Sequence, residues 1–473
     1  MEKPCIRSRG KTTSTEHIDQ RGAKKGEVES VEPNLGTGNA PDELRAKGHH
    51  YVVGTIQLAV QFLIECGMSL RGIEKTFKLH ASSEKATPNF SSIRKWLVRI
   101  GLYELDRKKE YRSDWIFIID LTVELGKQKA LVVLGVSQKY LVEQVLPSQR
   151  GLSHQDVELL ALEIMDSTKG ELIEQKLEQL TQTVGSPIQI VADHGSDLAH
   201  GIKLYKQNNP DVIYTHDVTH AMALILKHEL VTSEKYQSFL QQCSQCRQQL
   251  QQTELSFLCP PAQRSQCRYF NVEKLVDWAI KLLNSPLDTL VELVTTIESS
   301  ILEQKLVDKL GWLASYQSEL TRWSQMVEMT RTLEIQLKLC GLNQQSLTTF
   351  EQKQCSAADS SAEDFQQHIL DYVATESSQI PRGETFLATS DVIESLFGKY
   401  KQFSARSPLK QVGQMLLIIS LSTMNLTTTV VKQALETVRF ADVETWSEQV
   451  FGQSMLSKRK QAFSASVDDR ETA

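Results

Sequence analysis

The chain has 473 residues, 40% of them hydrophobic, and a formal net charge of −6. That length accommodates two to four domains with sizeable cores. No apolar run reaches the 18 residues of a membrane span, and the acidic balance confines any polyanion-binding surface to a local basic patch.

Residues 1–48 are polar, carry nine Lys or Arg against eight Asp or Glu, and show no apolar period. They are expected to be a disordered arm. From Tyr51 the character changes. Residues 52–66 (VVGTIQLAVQFLIEC) read as an apolar-rich helix broken at Gly67. Ser69 is placed to cap a second helix, SLRGIEKTF. Pro88-Asn89-Phe90-Ser91 opens a third, with Ser91 as the expected cap and Gly101 as the stop. Ile93, Trp96, Leu97 and Ile100 share one apolar face of that helix. Arg94, Lys95 and Arg99 lie largely elsewhere on it, and residues 91–112 hold seven Lys or Arg against three Asp or Glu. Three helices ending in a basic one predict a helix-turn-helix-like DNA-binding domain over 49–112. Arg94, Lys95 and Arg99 would then contact DNA, and Ser92 or Arg94 would approach base edges.

DWIFIIDLTVEL reads as a strand, KALVVLGVS as its return and LVEQVL as a short third strand. A long helix is expected from Ser153, with Val157, Leu160, Ala161 and Ile164 as its stripe. Residues 187–192 form a fourth strand ending at Asp193, followed by a short helix over about 196–207. DVIYTHDV is a fifth strand leading into the helix THAMALILKHEL. Residues 235–380 read almost wholly as helix, a separate insertion lobe. The chain returns at 381–450, where TSDVIESLFGKYKQF is capped by Thr389 or Ser390, and ends in a polar tail, 451–473. The fold class is therefore α/β, with the core (113–234 and 381–450) interrupted by an all-helical insertion.

Several residues stand out against that frame. Asp120 interrupts an otherwise apolar strand. Glu124 shares its face but lies roughly 13 Å farther along. Asp193 terminates the apolar run IQIVAD, where strand ends favour ligands, and Gly195 beside it permits a close backbone approach. Asp197 has a simpler role as a first-turn helix charge. Glu394 sits one turn into its helix between Ile393 and Leu396-Phe397, and Lys399, Lys401, Arg406 and Lys410 follow as a phosphate-contacting surface. Asp217 and His220 share a face at a helix start. They fit a supporting role beside the Asp193 strand better than a zinc site with His216 and His228, because four ligands are not evident. Cys243-x2-Cys246, with Cys259 and Cys267 beyond, has metal-like spacing but lies in continuous helix. Arg264 and Arg268 mark a possible DNA-facing loop. Glycine signatures of nucleotide-binding loops and the Gly-x-Ser-x-Gly elbow are absent. The eight dispersed cysteines and an N-terminus without a secretory apolar stretch lead us to expect a cytoplasmic, reducing setting.

The combination FIIDLTVE, IVADHGSD and DVIESLFGKYK resembles the DDE transposases of bacterial insertion-sequence type, and Asp217-Val218-Thr219-His220 matches a motif found after their second Asp. The resemblance runs over roughly residues 51–425. It implies a ribonuclease-H-like core in which Asp120, Asp193 and Glu394 hold Mg2+, or Mn2+ in its place. A helical lobe would precede the final Glu. The implied reaction is cleavage at element ends and transfer of a 3′-hydroxyl into target double-stranded DNA, by a dimer or larger assembly at the nucleoid. A structure-selective nuclease and a non-catalytic DNA-binding derivative are the rival readings, with Asp197, Glu124 and Glu384 as substitute acids.

Overall fold

The computed structural model describes residues 44–81, 86–123, 128–262, 272–294, 298–354, 362–404 and 413–468. Most of the expected arm, Glu124, the 263–271 loop with Arg264, Cys267 and Arg268, and both Arg406 and Lys410 lie outside them.

Three helices come first: α1 (Val53–Ile64), α2 (Leu70–His80) and α3 (Phe90–Asp106). Ser69 caps α2 by accepting from the Gly72 amide. The cap of α3 is Asn89, not Ser91: its side chain accepts from the Ser92 amide at 2.8 Å. Nor does Gly101 stop the helix. It sits where a Cβ would come within 2.6 Å of the Leu417 carbonyl oxygen, so its role is close helix packing.

The sheet follows: β1 (Trp115–Val123), β2 (Lys129–Ser137), the single turn α4 (Gln138–Tyr140), β3 (Glu158–Met165), α5 (Gly170–Val184), β4 (Gln189–Ala192), α6 (Ser196–Asn208), β5 (Ile213–His216) and α7 (Val218–Val231). The spatial order is β3-β2-β1-β4-β5. The first three strands are antiparallel neighbours, and β4 and β5 run parallel to β1. This mixed sheet flanked by helices is consistent with a ribonuclease-H-like core carrying a helical insertion.

Two expectations reverse here. LVEQVL is not a strand but a wide helical turn, Leu141–Val145, running into a tight one at Leu146–Ser148. The expected helix from Ser153 is a single turn, His154–Asp156, followed by β3. The Ser153/Asp156 capping box is real, but it closes only that turn. Beyond it Leu159 and Leu162 face one core and Leu160 the other, while the backbone pairs with β2 through a register shift at Val133/Leu134. Pairing to a strand already in place outweighs the helix preference of ELLALE.

The insertion comprises α8 (Glu234–Leu250), α9 (Val272–Leu283), α10 (Leu287–Glu292), α11 (Ser299–Leu310), α12 (Gln317–Cys340), α13 (Ser346–Gln354) and α14 (Glu363–Ser378). The chain then returns through α15 (Asp391–Ser404), α16 (Ile418–Thr423), α17 (Thr428–Thr437), α18 (Phe440–Phe451) and α19 (Met455–Asp468).

Strand alternation sends Trp115, Phe117 and Ile119 into the core under α5 and α6, and Ile116 and Ile118 into the opposite one. That second core runs without a break from the sheet through α7 and α15 into the insertion, reaching Trp323, Phe350 and Phe365. A further core joins α1, α2 and α3 to Ile418, Leu421, Val431 and Leu435 of α16 and α17.

The open edge of β5 is covered by α14. Tyr372 donates its hydroxyl to the His216 carbonyl at 2.9 Å, and Glu376 accepts from the His216 amide at 3.1 Å. Two side chains thus replace a sixth strand and shield backbone groups that would otherwise template pairing.

Candidate functional site

The parallel register places three aspartates in a row. Ile119 lies opposite Ala192, and Ala192 opposite His216. Asp120, Asp193 and Asp217 therefore occupy the next positions on β1 and just past the ends of β4 and β5, with neighbouring strands about 4.8 Å apart. By alternation Asp120 and Asp193 share the face of Ile116, Ile118 and Val191, the face on which α7 and α15 lie.

Asp193 is held by its own loop: Oδ1 accepts from the Gly195 amide at 3.2 Å, and its carbonyl accepts from the Tyr214 hydroxyl. Asp120 Oδ1 lies 2.6 Å from the Leu121 amide. Asp217 is fully buried. One oxygen caps α7 by accepting from the His220 amide at 2.7 Å; the other accepts from the Ser390 amide at 2.5 Å and its hydroxyl at 3.0 Å. Asp217 thus ties the end of β5 to the residue that precedes α15.

From that tie the chain runs into α15, which carries Glu394. Val392, Ile393, Leu396 and Phe397 are buried, so α15 is anchored on the core while Glu394, half-exposed, turns towards α7. His220 stands between the acids. Its Nε2 lies 3.9 Å from Asp193 Oδ2, and its Nδ1 lies 3.5 Å from Asp217 Oδ1 and 3.7 Å from Glu394 Oε1. Nδ1 is buried and makes no hydrogen bond. On the far side of α15, His154 meets the Ser395 hydroxyl at 3.0 Å. Burial, with the Lys399 ammonium nearby, pushes the His154 imidazole down to about 4, so it is neutral at pH 7.

A second histidine pair borders the site. His194 and His216 stack with centroids 3.8 Å apart and planes 11° from parallel. Burial, then the adjacent His194 ring, pushes His216 down to about 3. Neutral, uncharged rings can stack at this distance without repulsion.

The structure thus brings Asp193, Asp217, His220 and Glu394 together, with Asp120 on the strand beside Asp193. Two of the substitute acids lie within the described residues and are engaged with other partners. Asp197 accepts from the Thr168 hydroxyl at 2.7 Å, and Glu384 from Gln138 at the opposite end of β1. The oxygen donors are of the hard type that suits Mg2+. Among the described residues, however, no group of three or more His, Cys, Asp or Glu stands in metal-holding geometry; this covers Asp120, Asp193, Asp217, His220 and Glu394 as they stand here, as well as the His216/His228 set and the Cys243/Cys246 pair. Burial pushes the Cys243 thiol up to about 12 and the Cys246 thiol up to about 11, leaving both as neutral core residues.

The basic side chains of α3 are mostly engaged within the protein. Arg99, expected at DNA, is half-buried and donates to the Val438 carbonyl at 2.6 Å and to the Leu435 carbonyl, closing the C-terminal end of α17. Arg94 reaches Gln414 at 2.7 Å, and Lys95 lies 4.9 Å from the Phe440 ring centroid. Lys109 is buried against Glu104 at 2.6 Å, and Arg112 is paired with Asp114 and Glu110. A run of charge in sequence is here a set of internal ties. Arg94, Lys95 and Lys401 remain exposed, and Lys399 is half-buried.

What sequence reading missed is the set of long-range partners: the Ser390 bonds to Asp217, the Ser395 contact with His154, the His194 stack, and the Lys338 and Thr219 contacts of Asp391. No local pattern marks them. No family model and no curated protein matches the chain. Among solved structures it is similar to a chain of the Drosophila P element transposase strand transfer complex, with a TM-score of 0.32 and 11% identity over 83% of this chain and 94% of that one.

Proposed function

We propose that the protein is a metal-dependent DNA strand-cleaving and strand-transferring enzyme of the DDE transposase type. The observation that carries this reading is the approach of Asp193 and Glu394 to one histidine, His220, beside Asp120 at the end of adjacent strands. Carboxylates brought together at one site repel unless cations are present, so closing these acids on one another would call for metal ions. Asp120, Asp193 and Glu394 would hold the Mg2+ or Mn2+, which supplies charge relief at phosphorus and an activated oxygen nucleophile. Asp217 would fix the spacing of α7 and α15, and His220 would hold Asp193 and Glu394 apart until the site is loaded.

In this reading water first breaks a phosphodiester at the element end, releasing a 3′-hydroxyl. That hydroxyl then attacks a target phosphodiester and displaces another 3′-hydroxyl, with no covalent protein intermediate. The α1–α3 unit, as a helix-turn-helix variant, together with Arg94, Lys95, Lys401, Lys399, Arg406 and Lys410, would supply the phosphate contacts. Arg99 is withdrawn from that set by its helix-end bonds. Binding of two DNA ends implies a dimer or larger assembly.

The test uses the purified chain, Mg2+ or Mn2+, and duplex DNA carrying the sequences that flank its coding region. The expected result is metal-dependent nicking and joining to a second duplex, both lost in Asp193→Asn and Glu394→Gln while DNA binding persists. Nicking without joining would favour the nuclease. Binding without cleavage in wild type would sink the enzymatic reading.

A further inference from the structure

The helical insertion touches the first turn of α15 through one polar cluster. Lys338, near the end of α12, places its ammonium 2.5 Å from Glu334 Oε1 and in contact with Asp391 Oδ2. Thr219 of α7 donates or shares its hydroxyl at 3.2 Å with both Glu334 Oε1 and Asp391 Oδ1. Arg331 balances the other oxygen of Glu334 at 2.8 Å and reaches Glu273 of α9 at 2.6 Å. Glu334 and Thr219 are buried, whereas Asp391 and Arg331 keep contact with solvent, so screening is weakest around Glu334.

The cluster stands at a sensitive place. Asp391 is the first residue of α15, and Glu394 follows three residues later, on the same side of the helix. Thr219 lies between Asp217 and His220 in sequence. Without the Lys338 ammonium, Asp391 would lose that ion pair and meet the Glu334 carboxylate, still paired by Arg331, across the Thr219 hydroxyl, which weakens the hold of α12 on Asp391. Asp391 is also the acid of the first turn, favourable to the helix wherever it points. Its orientation towards α12 is therefore imposed by Lys338 and Thr219.

We infer that Lys338 is a positioning residue: reaching out from the insertion, it fixes the first turn of α15 and so sets where the Glu394 carboxylate stands relative to His220 and Asp193. The inference rests on the reading of Glu394 as an acid of the site. It makes the insertion part of the machinery that aims this acid, beyond any part it has in holding DNA.

The experiment compares Lys338→Met, Lys338→Arg and, as a control, Lys305→Met, which breaks a 2.7 Å ion pair with Glu254 inside the insertion and away from α15. Removing a residue that directly supports a metal ligand costs roughly 10- to 100-fold in metal affinity or activity; Lys338 acts one step further out, through Asp391, which places its effect at the lower end of that range. Lys338→Met should raise the Mn2+ concentration for half-maximal strand cleavage by about tenfold at unchanged KM for DNA, Lys338→Arg should restore most of it, and Lys305→Met should do neither. Unaltered metal dependence in Lys338→Met, or an equal shift in Lys305→Met, overturns the inference. If Lys338→Met does not fold, Thr219→Val removes the shared hydroxyl and should move metal dependence in the same direction; no movement is again fatal. Wild-type protein that cleaves nothing overturns the functional reading alone. Hydrogen exchange over residues 391–397 then decides the positioning: faster in Lys338→Met supports it, unchanged refutes it.

Discussion

Asp217 offers the most exacting test of how the site is held together. Its carboxylate is fully buried and serves two elements, capping α7 with one oxygen and binding the Ser390 amide and hydroxyl with the other. Asp217→Ala removes the cap, at about 1 kcal/mol. It also leaves the buried donors of Ser390 without an acceptor, at about 1–3 kcal/mol each. The Ser390 hydroxyl can turn to another acceptor more easily than the fixed amide can, so the expected total is about 3–5 kcal/mol. Asp217→Asn keeps one oxygen and presents its NH2 to the other set of donors, so it should lose about 1–3 kcal/mol. Urea unfolding followed by tryptophan fluorescence reads both values. An Asp217→Ala protein within about 0.5 kcal/mol of wild type would show that the bonds to Ser390 are incidental and that α15 is placed by packing alone.

Glu376 predicts a pH dependence. Burial pushes its carboxyl up to about 7, above the ordinary value of 4.5. The folded protein therefore keeps a proton that the unfolded chain releases, so the contribution to stability is full below pH 4.5 and falls as pH rises through 7. The loss is on the order of 3 kcal/mol. The difference in urea midpoint between wild type and Glu376→Gln should shrink or reverse across that window; a constant difference from pH 5 to 8 would contradict the account. For the thiols, iodoacetamide at pH 8 should modify exposed Cys66 and Cys340 in the folded protein and leave Cys243 and Cys246 intact until denaturant is added. Mass spectrometry of the peptides checks this, and labelling of Cys243 at the rate of Cys66 would refute its burial.

The sequence carried the acids and most of the elements because both rest on local signals. An aspartate inside IFIID and one ending IQIVAD contradict the apolar surroundings enough to be seen, and Ser69 before a periodic run marks its helix start. Where reading failed, distant contacts decided. ELLALEIM has the composition of a helix and became β3 because β2 was there to pair with it. LVEQVL has strand composition but turns the chain away from the sheet as a wide helical turn. Gly101 looks like a stop only until Leu417 is seen pressed against it. Arg99 looks like a phosphate ligand until the end of α17, more than 300 residues later, is seen to be its partner. The row Asp120, Asp193, Asp217 was legible as three separate residues. That they share one register line needed the parallel pairing of β1, β4 and β5.

The unbroken core from sheet to insertion has a bearing on how the protein is made. Asp193 and Glu394 are separated by 201 positions in the chain (394 − 193), and the core that seats α15 draws on helices from all of that span. The core under α1–α3 likewise waits for α16 and α17. As the polypeptide leaves the ribosome, neither the cluster of acids nor the N-terminal helical unit can be completed until nearly the whole chain has been synthesised. A truncated nascent product would hold two of the acids without the third. Premature termination would thus yield fragments with unfinished sites and unfinished cores, and these should be targets for chaperones and proteases rather than partly active proteins.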